Sequence, residues 1–325
     1  MDRGVVRGRW RARRMKAKLV SGTNSKLVSG TDFRVGVVGL GIMGSAMSAN
    51  LVRAGFSVRG YDVLARRRAE LKKAGGSPAR SVRELARHAS IVITSLPSAP
   101  ALLEVSAELG AAGNAGQVVI ETSTLPIAAK DEARKLLAAH GITLLDCPLS
   151  GTGAQAKVKD LAVYASGPRA AYRRCAPVFD GFARTHYFLG AFGTGSKMKF
   201  VANLLVAIHN VSTAEAMVLG MKAGLDCDLM VKVLADGAGS SRMLQVRGPM
   251  MARGDYSNAA MKVGVWQKDM RLIGEFARGL DCPTPLFAAT SSIYNAAMAQ
   301  GFAEADTASV CAVLERMAKA RRAPK

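Results

Sequence analysis

Residues 33–62, FRVGVVGLGIMGSAMSANLVRAGFSVRGYD, carry the reading on which the fold rests. An apolar run over 33–38 leads straight into Gly39, Leu40, Gly41, Ile42, Met43 and Gly44. A helical pattern follows, then a second strand pattern, SVRGYD, that ends on Asp62. This context gives a GxGxxG sequence its meaning. The first glycine makes the tight turn, the second lets a pyrophosphate approach the backbone, and the third lets helix pack on strand. The helix N-terminus offers N–H groups and a positive dipole end to the phosphates. Asp62 can accept hydrogen bonds from ribose hydroxyls and would repel a 2′-phosphate. That favours NAD, while Arg66, Arg67 and Arg68 just beyond leave NADP open.

Outward from this unit the alternation continues. IVITSLP (91–97), QVVIE (117–121), ITLLD (142–146) and LAVYASG (161–167) read as strands separated by helical segments, with THYFLG (185–190) as an edge strand. Alternation of this kind predicts a doubly wound, mostly parallel Rossmann sheet, with ligands beyond the carboxyl ends of its strands. Leu96-Pro97, Ser123-Thr124 and Ser150-Gly151-Thr152 fall there.

Residues 193–224, GTGSKMKFVANLLVAIHNVSTAEAMVLGMKAG, read as one long helix with Ser196 as N-cap. It is apolar almost all round, which predicts burial between two bodies of structure. A polar stripe of Lys199, Asn203 and Asn210 breaks the pattern on one face. A lysine there is either salt-bridged or snorkelling, or it is chemical, because an unpaired buried charge is costly. Only helical periodicity follows, over 226–236, 241–252, 262–280, 284–300 and 307–319, so the C-terminal part is predicted to be all-α.

The expected organisation is a basic, disordered extension over 1–32, an NAD-binding Rossmann domain over 33–192 and a long interdomain helix over 193–224. An all-α domain over 225–319 and a basic tail over 320–325 complete it. The formal net charge is +21, and the two ends carry twelve of those charges. A basic tail can contact nucleic acid or anionic lipid, but solvated extensions are the commoner case, so neither partner is expected. KLVSGT occurs at 18–23 and again at 26–31, and nothing physical explains the repeat. Five scattered cysteines without metal-ligand spacing fit a reducing compartment with buried thiols and no metal. No apolar run approaches the roughly 20 residues of a membrane helix. The arginine-rich N-terminus lacks the apolar stretch of a secretory signal, which points to the cytoplasm and leaves organelle targeting open.

GLGIMG, LP, ETST, DCPLSGTG, GTGSKMKFVAN and QKDM, in this order, resemble the β-hydroxyacid dehydrogenases, the family of 3-hydroxyisobutyrate dehydrogenase, over about residues 33–315. The resemblance implies a Rossmann domain and an all-α domain joined by a long helix. It also implies hydride exchange between NAD(P) and the alcohol of a small hydroxy acid, in a homodimer or homotetramer. It places the catalytic lysine on Lys199, with Asn203 as catalytic helper and substrate contact. Ser150, Gly151 and Thr152 take the substrate-binding positions. Gly39, Leu40, Gly41, Ile42, Met43, Gly44, Asp62, Leu96, Pro97, Thr124 and Lys268 take the cofactor-binding ones. Without the resemblance, Ser150 reads more readily as a loop cap, Thr124 can be a cap before Pro126 and Lys268 a surface charge, and Asp269 reads as structural even with it. Thr152 stands where the family has glycine, so a hydroxyl on the pocket floor and a larger or more polar substrate are expected. Ala202, Glu121 and the pair Lys159-Asp160 also depart from the family pattern.

The chemical case for Lys199 is separate. A lysine removes an alcohol proton only when its pKa falls towards working pH. Burial, the helix dipole and nearby Lys197 and Lys268 should push it down, with desolvation dominant. Two alternatives compete. One is an imine reductase-like enzyme of the same fold, against which the presence of Lys199 counts. The other is a non-catalytic nucleotide-binding module with a nucleic-acid-binding tail.

Overall fold

A computed structural model describes residues 34–322. The extension expected over 1–32, with its repeated KLVSGT, and the last three residues of the basic tail lie outside the described residues.

β1 (Arg34–Val38) is buried from its second residue and feeds α1 (Ile42–Arg53), which returns to β2 (Ser57–Tyr61). The alternation continues through α2 (Ala65–Lys73), β3 (Ser77–Pro78), α3 (Val82–His88), β4 (Ile91–Thr94), α4 (Ala99–Ala112), β5 (Val118–Glu121), α5 (Ile127–Ala138) and β6 (Thr143–Asp146). The six strands pair in parallel in the order β3-β2-β1-β4-β5-β6. β4 and β5 are buried at every position, hence their unbroken apolar runs. The order reverses at β1 and β4, and the crevice beyond their carboxyl ends is the place for a dinucleotide.

Two stretches expected in this sheet leave it. After β6 come β7 (Leu149–Ser150), α6 (Gly153–Lys157), β8 (Ala162–Ala165), α7 (Arg169–Phe182) and β9 (Thr185–Phe188). β7, β8 and β9 form a separate sheet, with β7 antiparallel and β9 parallel to β8. Pro148 is the physical reason. It has no N–H to extend the β6 ladder, and its carbonyl accepts from the Tyr164 N–H at 3.0 Å, which turns the chain into the antiparallel pairing.

α8 (Thr194–Lys222) is the 29-residue helix expected from the sequence. Its N-cap is Gly193, in the left-handed region at φ 89°, and not Ser196, which lies inside the first turn. α9 (Cys227–Asp236), α10 (Arg242–Arg253), α11 (Val263–Arg278), α12 (Pro285–Ala299), a 3₁₀ turn (Thr307–Ser309) and α13 (Val310–Ala318) follow. Asp226 and Ser241 cap α9 and α10 through their side chains. α9 to α13 pack around α8, whose first turns also touch β6 and β8. Burial is one-sided: Val201, Leu205 and Leu219 are 54%, 47% and 72% exposed, because the neighbouring helices gather on the opposite face. By length and composition alone α8 is apolar enough to cross a membrane, contrary to the reading of the sequence. Here it is the spine of a helical core that includes Phe200, Met217, Trp266 and Tyr294.

Candidate active site

The first half of the site is a backbone cradle between β1 and α1. A Cβ on Gly44 would lie 1.8 Å from the Gly39 carbonyl oxygen, so only glycine permits this helix-to-strand contact. Around Gly41 the sole neighbour of an added Cβ is Arg67 Nη1 at 3.8 Å, so this backbone faces open space. No side chain caps the start of α1. Leu40 buries its side chain, and its N–H donates to Asp62 Oδ2 at 2.8 Å. Asp62 also accepts from the Leu64 N–H at 2.9 Å and from Arg67 at 3.1 Å. Burial acts to raise its carboxyl pKa, but these hydrogen bonds outweigh it and hold the group below the usual range. Ile42 is 70% exposed at the mouth of the cradle, and Met43 packs on the core beneath α1. Beyond β4, the Leu96 N–H donates to Ser123 Oγ at 2.8 Å, and Pro97 is exposed. An open glycine, uncapped helix N–H groups and a carboxylate at the end of β2 fit the pyrophosphate and ribose of a dinucleotide.

The second half is a cavity of about 480 Å³. Ser150, Gly151 and Thr152 line it from the end of β7, and Lys199 and Asn203 from α8. Trp266 on α11 and Met243 and Arg247 on α10 also line it. Thr152 lines the cavity and also starts a helix. Its hydroxyl accepts from the Gln155 N–H in a capping box that starts α6, so it is committed to the helix. Asn203 Nδ2 donates to Asp269 Oδ2 at 2.9 Å. Lys268 and Thr124 stand outside the cavity wall. The Lys268 ammonium donates to the Thr124 carbonyl at 2.8 Å and lies 3.7 Å from Asp269, tying α11 to the loop after β5.

The Lys199 ammonium is held below its ordinary pKa, first by burial and further by Lys268, with Asp269 opposing. Lys197, expected to assist, is solvent-exposed and is not among these causes. Asp269 is itself pushed up by burial, against the pull of Lys268, Lys199 and the Asn203 hydrogen bond.

Residues 34–190 match the NAD-binding domain of 6-phosphogluconate dehydrogenase, and residues 193–314 match the NAD-binding domain of NADP-dependent 3-hydroxyisobutyrate dehydrogenase. L-threonate dehydrogenase of Cupriavidus necator is 34% identical over 280 residues, 85% of this chain and 94% of that protein. The chain belongs to the β-hydroxyacid dehydrogenase family. NAD-dependent L-serine dehydrogenase of Pseudomonas aeruginosa is 32% identical, covering 84% of this chain and 95% of that protein. The crystal structure of 3-hydroxyisobutyrate dehydrogenase from Salmonella typhimurium superposes with a TM-score of 0.79 at 32% identity, over 87% of this chain and all of that one. The protein is therefore an NAD-binding oxidoreductase of the 3-hydroxyisobutyrate dehydrogenase type.

The start of α8 fixes where Lys199 stands on the cavity wall. Its first turn is held by a buried ion cluster that the sequence reading missed. Lys130 of α5, 0% exposed, lies 2.6 Å from Glu121 and 2.9 Å from Asp146, at the ends of β5 and β6. Asp146 in turn accepts from the Ser196 N–H at 2.8 Å and the Ser196 hydroxyl at 2.7 Å. Gly195 makes the close approach possible, since a Cβ there would lie 2.2 Å from the Tyr164 carbonyl oxygen. The carboxylate caps α8 from another strand and favours the positive end of its dipole.

Proposed function

We propose that this enzyme oxidises the alcohol of a small 3-hydroxy acid, and reduces the corresponding aldehyde in reverse, with Lys199 as general acid–base. The observation that carries the reading is a lysine on a cavity wall whose ammonium is weakened by burial and by Lys268, within one helical turn of Asn203. Bound NAD supplies the hydride acceptor. Unprotonated Lys199 takes the hydroxyl proton as the hydride leaves carbon, and protonated Lys199 returns it in the reverse direction. Asn203 holds the reacting oxygen, with its own amide steadied by Asp269. Ser150 and the backbone around Gly151 and Thr152 hold the substrate carboxylate, which sets the angle of attack. The phosphates and ribose are assigned to the backbone from Gly39 to Gly44 and to Asp62, with NAD preferred to NADP. Leu96, Pro97, Thr124 and Lys268 border the nicotinamide end.

The reading keeps the division into an NAD-binding domain over 33–192, a linking helix over 193–224 and an all-α domain over 225–319. It also includes assembly into a homodimer or homotetramer, supported by the uncovered apolar residues Val201, Leu205 and Leu219 on α8. A cytoplasmic location is part of it, with organelle targeting by the basic N-terminus left open. Relatives named for L-threonate and L-serine support a substrate that carries a β-hydroxyl next to the carbon bearing its carboxylate. The named dehydrogenases among the relatives do not favour an imine reductase or a non-catalytic module. The test is NADH formation by purified full-length protein from a panel of 3-hydroxy acids at alkaline pH. Turnover of at least one supports the reading, and turnover of none overturns it.

A further inference from the structure

The cavity that holds Lys199 contains a second cationic group that this chemistry leaves unused. Arg247 of α10 is 5% exposed and bonds through Nε to Asp306 at 3.1 Å. Asp306 is fully buried and already accepts the N–H groups of Ala260, Met261 and Ala308. Arg247 Nη1 rests against Met243 Sδ, a weak acceptor, and Nη2 has no hydrogen-bond partner among the described residues. The remaining donor of this guanidinium opens onto the cavity, where an acceptor on a bound ligand can reach it.

Two further arginines join it. Asp160 accepts from Arg184 at 2.7 Å and from Gln155 at 2.9 Å, and Arg242 stands 3.9 Å away, beyond hydrogen-bond length. All four residues line the cavity. Asp160 belongs to the Lys159-Asp160 pair that departs from the family pattern, and Lys159 holds a left-handed φ of 63° that presents the acid. Arg184, Arg242 and Arg247 line the same cavity as Lys199. Arg184, Arg242 and Arg247 face only Asp160 and Asp306. One positive charge is left unbalanced there.

We infer that Arg247, assisted by Arg242 and Arg184, selects a substrate whose tail carries a second anionic group. The planar fork of arginine matches a carboxylate or phosphate through paired hydrogen bonds, which a neutral hydroxylated tail cannot balance in charge. The substrate is then a 3-hydroxy acid with an acidic tail. The inference rests on the proposed dehydrogenase reading of the same site.

The test uses full-length enzyme with NAD and three alcohols. They are 2-(hydroxymethyl)succinate, its tail methyl ester and 3-hydroxyisobutyrate, which share the reacting alcohol and first carboxylate. The kcat/KM for the dianion should exceed both others by about tenfold or more, the scale of one hydrogen bond to a charged group. Arg247→Gln should collapse that ratio. Because this change also unpairs Asp306, Arg242→Gln, on the surface, provides a second variant that should lower the same ratio. Equal use of the three alcohols, or a ratio unmoved by both variants, overturns the inference. If no 3-hydroxy acid is turned over, the dehydrogenase reading fails, and calorimetry with glutarate and butyrate still decides the arginines. Tighter glutarate binding that Arg247→Gln or Arg242→Gln removes supports them, and equal binding of the two acids overturns them.

Discussion

Lys130 is fully buried and Lys199 is half-buried on a cavity wall, and the protein treats them in opposite ways. Lys130 lies between two carboxylates, Glu121 and Asp146, each within 3 Å. Burial alone would lower its pKa, but the paired charges outweigh burial and push it up. Lys199 has one carboxylate near it, and Asp269 is already shared with Lys268 and Asn203. There burial wins, and the pKa falls. The count of carboxylates per ammonium separates the two: two raise the Lys130 pKa, and one is too few to offset burial at Lys199. The two are linked, because Asp146, held by Lys130, holds Ser196 at the start of the helix that carries Lys199.

The largest effect should come from removing the unpaired member. Lys199→Met should cost about 10²–10⁴ in kcat, the range for losing general acid–base help, while NAD binding by calorimetry stays close to wild type. Lys199→Arg should restore little, because guanidinium does not deprotonate in this range. Removing the paired member should strike stability first. Lys130→Met leaves Glu121 and Asp146 buried without their counter-ion and should cost about 3–5 kcal/mol in urea unfolding. A loss below about 1 kcal/mol would mean that the cluster is not load-sharing in this way.

The contrast is sharpened by changing the carboxylate count. Asp269 raises the Lys199 pKa, so Asp269→Asn should move the rising limb of the pH–rate profile to lower pH. A shift to higher pH, or none, would show that the two groups do not interact. The smallest effect concerns Asp62, a carboxylate held ionised by backbone N–H groups and Arg67. Wild type should show higher kcat/KM with NAD than with NADP, and Asp62→Ala should narrow that ratio. A wild-type preference for NADP would hand the ribose site to Arg66, Arg67 and Arg68.

Lys199 was legible because it interrupts an apolar helix beside Asn203 and falls in an ordered series of motifs. Gly39, Gly41 and Gly44 were legible because strand and helix patterns flank them. Lys130 was not: in IAAKDEARK it reads as one more charge on an amphipathic helix, and its partners come from two strands that only the sheet brings together. The second sheet was hidden for a similar reason, since strand patterns do not say which strand pairs with which, although Pro148 marked the break. Thr152 carries a local signal of its own. Thr followed three residues later by Gln is a capping box, which engages the hydroxyl of a residue that also lines the cavity. Arg247 has no local signature, because its role depends on Asp306, 59 residues away.

The central claim is that Lys199 moves the proton. Its most direct test is the pH dependence of kcat/KM for alcohol oxidation in wild type and Lys199→Ala, with saturating NAD. The account predicts that activity rises with pH through a group below the ordinary lysine value of about 10.5, and that this limb is absent from the residual activity of the variant. A variant that keeps the limb, together with more than about a tenth of wild-type kcat against an expected loss of at least 10²-fold, contradicts it and transfers the role to Lys268.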